Sequence, residues 1–413
     1  MKRIIAVLLL CVFLLYGCNN AAVGGEGETL ELAEGEDRVD IEDGIFDDNN
    51  DENGFFIGSW LSYIELMPSN CGAGKENYEK YIGGIADNLK SVGVTDLFVQ
   101  VRPFCDSIYP SEYSVSSSCV VKNQGDKLPF DYLSAIISVL KERNISVHGW
   151  INPFRVQSQL DESKLSDENI AKKWLKEKSD NVKKVGDSLY LSPSSAEVRK
   201  LIVDCVEELL LNYGISGIHI DDYFYPTDDE GFDRKEYLTY VNEGGQLSLK
   251  DWRTENINLL LSDIYRKVKS VSEDKIFSVS PSGDIAKNEN ELFADVKKWG
   301  NEEGYCDMII PQLYYGFDNS SKPFEKTALD FRNMVSENVK ICAGLALYKS
   351  GKEDTFALDG KTEWQENSDI IKRQTQFAKD NGYDGICLYS ATFVNFNEIS
   401  CFQEIQNLKD VIL

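Results

Sequence analysis

The feature that most constrains this chain is an alternation. From Gly54 onward, short β-rich runs are followed by amphipathic helical stretches, eight units in all. The runs are 56–63, 96–103, 146–153, 217–223, 276–283, 307–314, 340–348 and 385–391, and helical patterns between them include 78–92, 132–143, 195–213, 253–271, 326–337 and 370–381. Strands that alternate with helices predict parallel βαβ units. Eight such units predict a closed (β/α)8 TIM barrel. An open doubly wound sheet is the alternative, and no GxGxxG or GxxxxGK[ST] turn favours it. Boundary residues agree with the count. Asn77 is expected to cap the first helix and Gly93 to end it, Asp131 and Asn144 bracket the second, and Pro193-Ser194-Ser195 opens helix 195–213. The loops after the third and fourth runs are long, and the first of them carries its own helical piece at 167–178. Long loops on the C-terminal face of a barrel build its cleft.

The folded region, 54–413, follows two segments of different character. Lys2 and Arg3 precede an apolar run, Ile4 to Leu15, and then Tyr16-Gly17-Cys18. This reads as an export signal over 1–17, too short for a comfortable membrane span. Leu15-Tyr16-Gly17-Cys18 resembles a bacterial lipobox, which implies lipid on Cys18 and a membrane anchor on the extracytoplasmic face. Residues 19–53 hold 13 acids and one base, a net of -12 within the chain's -26. Such a stretch has too little apolar surface to offset the entropy of ordering, so 18–53 is expected to be a disordered acidic tether. The rest is acidic too, which argues against nucleic acid as a partner. Among the 10 cysteines no CxxC occurs, so a zinc ribbon or thioredoxin-type motif has no support. Cys306, Cys342 and Cys387 fall in predicted strands as small core residues. Cys105 and Cys119 flank one loop, where the sequence leaves a disulfide open.

Chemistry concentrates at one end of the predicted strands. The fourth run reads Gly217-Ile-His-Ile-Asp-Asp-Tyr-Phe-Tyr-Pro226. Side chains alternate along a strand, so His219, Asp221 and Tyr223 share a face and Asp222 is expected to point into the surrounding shell. The second run ends at Arg102, with Asp106 and Glu112 in the loop beyond it. The third ends in His148, Trp150, Asn152 and Arg155. Gln312, Tyr314, Tyr348 and Tyr389 close the later runs. The only two histidines, His148 and His219, occupy equivalent-looking places on neighbouring strands. Arg102 is expected to be a buried cation that needs Asp106, Asp221 or an anionic group of a substrate. Flat rings with polar handles suit the face of a sugar, with Trp150, Tyr223 and Tyr314 as stacking residues.

These motifs together resemble the glycosyl hydrolase-like 10 family. The matching segments are Phe98-Val-Gln-Val-Arg-Pro with Asp106, Tyr109-Pro-Ser-Glu112, Val147-His-Gly-Trp-Ile-Asn-Pro-Phe-Arg155, Tyr190-Leu-Ser-Pro193, the fourth run itself, Ser280-Pro-Ser-Gly283 and Pro311-Gln-Leu-Tyr314, in the family's order over roughly 54–395. Ser192 stands where the family usually has Asn, and Ser282 where it has a bulkier residue. The resemblance implies a TIM-barrel glycosidase, in a family that includes bacterial lipoproteins linked to cutting peptidoglycan glycan strands. Glycoside hydrolysis needs two carboxyl groups. Asp221 is the first choice, placed where a barrel glycosidase commonly carries its nucleophile, with Glu112 the favoured acid/base and Asp106 the next, and Asp284 and Asp318 as further alternatives. Asp222 is assigned to orienting Arg102 or a loop amide. His148, His219, Asn152, Arg155, Gln312 and Tyr314 are expected to bind sugar hydroxyls or tune the carboxylates. No cofactor is implied. A metal-dependent sugar deacetylase built on His148, His219 and Asp221 is a weaker alternative, because neither HxH nor HExxH occurs. A glycan-binding lipoprotein without catalysis is the other.

Overall fold

The computed structural model describes residues 54–412. The expected export signal, Cys18 with its expected lipid and the expected acidic tether to residue 53 lie outside the described residues. Eleven strands are present: β1 (Phe56–Leu61), β2 (Asp96–Arg102), β3 (Ser146–Ile151), β4 (Arg155–Gln157), β5 (Val182–Val185), β6 (Ser188–Leu191), β7 (Gly217–Ile220), β8 (Ile276–Val279), β9 (Met308–Ile309), β10 (Lys340–Leu345) and β11 (Gly385–Tyr389). The helices are α1 (Lys75–Lys90), α2 (Tyr132–Lys141), α3 (Ile170–Glu177), α4 (Ala196–Asn212), α5 (Arg234–Asn242), α6 (Leu249–Val271), α7 (Ile285–Asn290), α8 (Val296–Trp299), α9 (Phe324–Arg332), α10 (Glu363–Glu366), α11 (Ile370–Asp380) and α12 (Ile399–Ile412).

Eight strands close a parallel barrel in the order β1-β11-β10-β9-β8-β7-β3-β2. These are the eight runs expected from the sequence. The alternation that defines them also defines two cores. Outward residues such as Val99, Ile218, Ile220, Val279 and Ile341 are fully buried against the helices. Each such side chain contributes about 1.5–3 kcal/mol by leaving water. Inward residues Phe56, Trp60, Phe98, Trp150, Met308, Ile310, Cys342 and Cys387 fill the barrel itself. Two inward positions must be glycine. A Cβ at Gly217 would collide with the Ile276 carbonyl oxygen and stand 2.9 Å from His148 Nδ1, and one at Gly385 would collide with the Phe56 carbonyl oxygen.

Local signals place most helix starts. Asp131 accepts from Ser134 N–H at 3.0 Å and Ser195 from Val198 N–H at 3.2 Å. Asn77 does not cap α1. Gly74 holds the cap position, and the Asn77 amide instead donates to the Ala73 carbonyl at 2.8 Å. Cys105 and Cys119 are both buried free thiols, as are Cys306, Cys342 and Cys387.

Two insertions shape the mouth of the barrel. After β3 the chain forms a small antiparallel sheet, β4-β6-β5, together with α3. The sequence showed α3 but not this sheet. After β7 the loop carries α5 and is pinned by a buried ion pair. Arg253 donates to Asp233 at 2.6 Å and to the carbonyls of Asp228 and Asp229 at 3.1 and 2.6 Å. Strand β7 stops at Ile220, three residues before the expected end. That early stop decides the site.

Candidate active site

The site is built on the ends of β3 and β7. Inward residues follow one another along β3 as His148, Trp150 and Asn152, and along β7 as Gly217, His219 and Asp221. The register pairs Trp150 with His219, which brings Asn152 level with Asp221. The Asn152 amide nitrogen donates to Asp221 Oδ1 at 2.6 Å and to Oδ2 at 2.7 Å, and Tyr223 N–H donates to Oδ1 at 3.3 Å. Asn152 is itself oriented. Its side-chain oxygen accepts from the Gln100 amide, whose own oxygen accepts from Tyr63 N–H at 2.8 Å. A chain of amides from three strand ends therefore aims one carboxylate.

Asp222 does not point into the outer shell. Alternation binds a residue only while the strand continues, and β7 has ended. Asp222 turns into the mouth, half-buried, and accepts a hydrogen bond from Gln312, which also donates to the Ser280 carbonyl at 3.3 Å. Two neighbouring carboxylates now share one cleft. Asp221 is 4% exposed, and burial, reinforced by the charge of Asp222, raises its pKa to about 7. Burial also raises Asp222, against the pull of Lys287, the Gln312 hydrogen bond and Arg155. The pair therefore holds a proton more readily than two separate carboxylates would.

Aromatic side chains surround this pair. Tyr314, Tyr348 and Tyr389 form a cluster with ring centroids 5.8–5.9 Å apart. Tyr223 is 46% exposed and one face of its ring is covered by Arg155, whose guanidinium lies 4.4 Å from the ring centroid. Arg155 enters the mouth because it opens β4, the strand of the unforeseen sheet.

The other expected site residues lie elsewhere. Glu112 is exposed beside α4, where its N–H donates to the buried Glu208 at 2.6 Å. Asp106 is buried beneath the loop after β2, accepting from Gln124 at 3.0 Å and Phe104 N–H at 3.3 Å. Neither lines the mouth. Asp284 caps α7 and pairs with Lys322, and Asp318 is exposed beside Glu363. Arg102 faces outward because a bulge sets it level with Ile151. It meets neither Asp106 nor Asp221 in an ion pair; its Nη1 donates to the Asn152 carbonyl at 2.9 Å and the Pro153 carbonyl at 3.3 Å. It holds the backbone of the residue that aims Asp221.

The histidines are not equivalent. His148 lies one layer lower, level with Gly217, and bonds Asp96 at 2.8 Å, at the far end of the barrel from the mouth. His219 accepts from Trp60 Nε1 at 2.9 Å and meets Ser278 Oγ at 2.8 Å. Burial and the neighbouring His148 hold its pKa well below the usual histidine range. Both are buried residues of the barrel interior; His219 is bonded at both ring nitrogens, whereas His148 Nδ1 has no hydrogen-bond partner among the described residues. The ligand set of the deacetylase alternative, His148 with His219 and Asp221, is not assembled. Trp150 is 5% exposed within the same interior and offers no face to a sugar.

The chain and its (β/α)8 barrel have counterparts among known proteins. The glycosyl hydrolase-like 10 family model matches residues 60–359. The chain belongs to the glycosyl hydrolase-like 10 family. Within curated proteins it is 30% identical over 312 residues to glycosyl hydrolase YngK of Bacillus subtilis, a match that covers 70% of this chain and 60% of that protein. It therefore spans less than two thirds of YngK. It is 26% identical over 335 residues to glycosyl hydrolase DigH of Escherichia coli K12, covering 75% of this chain and 74% of that one. In fold it is similar to the glycoside hydrolase domain of PgaB from Bordetella bronchiseptica, with a TM-score of 0.56 at 12% identity, over 87% of this chain and 98% of that one. The sequence signal that located Asp221 and Asn152 was strand position. The role of Gln100 carried no such signal, since a lone glutamine inside a strand reads as any polar residue.

Proposed function

We propose that this protein is an extracytoplasmic lipoprotein glycoside hydrolase that cuts glycosidic bonds in peptidoglycan glycan strands or a related polysaccharide, with Asp221 and Asp222 as its carboxyl pair. The observation that carries this reading is the juxtaposition itself: two carboxylates in one aromatic-lined mouth, one of them buried and aimed by Asn152. Asp221 Oδ1 already accepts two hydrogen bonds and Oδ2 one, so Oδ2 is the freer site for a proton. A carboxyl group raised to about 7 is half protonated at neutral pH, the range in which a general acid is most useful. Asp221 gives its proton to the glycosidic oxygen as the bond to the anomeric carbon breaks, and the leaving sugar departs as an alcohol. Asp222, anchored by Gln312, supplies the negative charge that faces the positive charge developing on the sugar. Water then adds to that carbon, and its proton returns to Asp221. Tyr314 and Tyr389 line the wall against which the ring lies. Lipid on Cys18 and the acidic segment beyond it hold the domain at the membrane.

The test is digestion of purified peptidoglycan glycan strands by the full chain and by its Asp221→Asn variant, read as new reducing ends. Cleavage by the wild-type chain alone supports the reading. Glycan binding without cleavage by either chain removes it in favour of a glycan-binding lipoprotein.

A further inference from the structure

Arg155 is built into the mouth in an unusual way. Its Cζ lies over the ring of Phe104, 4.4 Å from the centroid, and Phe104 reaches in from the loop after β2. The same Cζ also lies 4.4 Å from the centroid of Tyr223, from the loop after β7. Phe104 is braced in turn by Tyr63, edge-on at 5.1 Å. Stacking on aromatic rings engages the flat faces of a guanidinium and leaves its in-plane N–H groups free. No described residue accepts a hydrogen bond from those N–H groups or forms an ion pair with them. Arg155 nonetheless stands close enough to both aspartates to bear on their charge. A second cation, Lys287 of α7, acts on the charge of Asp222 and is likewise outside every ion pair among the described residues. A cleft for neutral sugars has no need of two cations with open donors, least of all in a chain of net charge -26. A planar fork of N–H donors matches a carboxylate better than it matches a hydroxyl.

We infer that Arg155 is the residue by which this cleft recognises a free carboxylate on the sugar chain, so that the substrate is an acidic glycan rather than a neutral one. This rests on the glycosidase reading for its site and adds the chemistry that the site selects. Phe104 and Tyr223 fix the guanidinium in one plane before substrate arrives, so that little side-chain freedom is lost on binding. Arg155 is a specificity residue. Proton transfer remains with Asp221.

The experiment compares two forms of one glycan: peptide-free peptidoglycan strands with their free carboxylates, and the same strands after carbodiimide conversion of those carboxylates to neutral amides. The full chain is expected to lose about 10- to 100-fold in kcat/KM on the amidated strands, the scale of one charge-assisted hydrogen-bonded pair. Arg155→Gln is expected to lose about as much on the native strands and nothing further on the amidated ones. Equal losses for Arg155→Gln on both substrates would show that it acts only through the aspartate pair, and the inference fails. It fails as well if the wild-type chain cuts both forms alike. An unfolding midpoint shows whether Arg155→Gln is folded. If it is not, Arg155→Lys takes its place and must discriminate less than wild type; undiminished discrimination sinks the inference. The four comparisons are repeated as glycan-binding constants. Absence of cleavage removes the glycosidase reading, while the binding ratios still decide the role of Arg155.

Discussion

The loop after β2 and the strand end of β7 carry the same chemistry in sequence and opposite fates in space. Each brings two carboxylates to the C-terminal side of the barrel, Asp106 with Glu112 and Asp221 with Asp222. The β7 pair enters the mouth. The β2 pair does not: Asp106 is consumed by the hydrogen bonds of its own loop, and Glu112 lies exposed against α4. The difference is one of support. Asp221 inherits its direction from a strand whose register is set by both neighbours, and Asn152 meets it because β3 has the same inward phase. A loop carboxylate has no phase to inherit. Its direction goes to whichever N–H groups the loop leaves unpaired.

This contrast can be broken most directly by substitution on its two sides. Asp221→Asn is expected to lower turnover by about 10³-fold or more, the scale of general acid catalysis, whereas Glu112→Gln should stay within about twofold of wild type. A large loss for Glu112→Gln in a reducing-end assay would return the acid/base role to the loop. A smaller effect is expected at the residue that aims the acid. Asn152→Ala removes hydrogen bonds that favour the ionised carboxylate, so it should cut kcat by about 10- to 100-fold. It should also move the alkaline fall in activity to higher pH, because the Asp221 pKa rises further. An unmoved pH profile would show that Asn152 only fills space.

The pH dependence sharpens the same point. Activity that needs protonated Asp221 should fall as pH rises through about 7. Stability follows the same sign. A carboxyl raised in the folded state binds protons more tightly there than in the unfolded chain. Stability on its account is therefore full below the usual carboxylate range and declines as pH climbs to about 7. Asp221→Asn should then raise the unfolding midpoint at pH 8, by about 1–2 kcal/mol of stability, and show a smaller gain at pH 5. An equal gain at both pH values would mean that the carboxylate is not strained by burial. No loss of turnover is expected at Asp106, where Asn should cost about 1–3 kcal/mol of stability through lost loop hydrogen bonds while the activity of the folded fraction is kept. A loss of turnover without loss of stability there would contradict its placement outside the mouth.

Much of the molecule was legible because strand and helix periods are properties of a local stretch. The eight barrel strands, the caps at Asp131 and Ser195, and the inward phase of Asn152 and Asp221 all follow from alternation and from short-range hydrogen bonding. What the sequence could not rank was the height of a residue within the barrel. His148 and His219 look alike along the chain, yet both belong to the filled interior, below the layer where Asn152 and Asp221 meet. Barrel stagger sets that height, and stagger is fixed only when all strands pair. The same holds for Arg102, which a bulge turned away from the cleft, and for Arg155, which a strand of the small sheet brought into it.

By itself, then, the sequence determined the barrel, the end at which its polar strand ends gather and the inward phase of Asn152 and Asp221, because these depend on periodicity and on residue type. Only the tertiary structure decided that Asp222 turns toward Gln312 beside Asp221, that the histidines are interior residues and that a guanidinium stands between two rings at the mouth. Those outcomes depend on where a strand stops and on which neighbours its last residues meet, and such contacts join segments far apart in the chain.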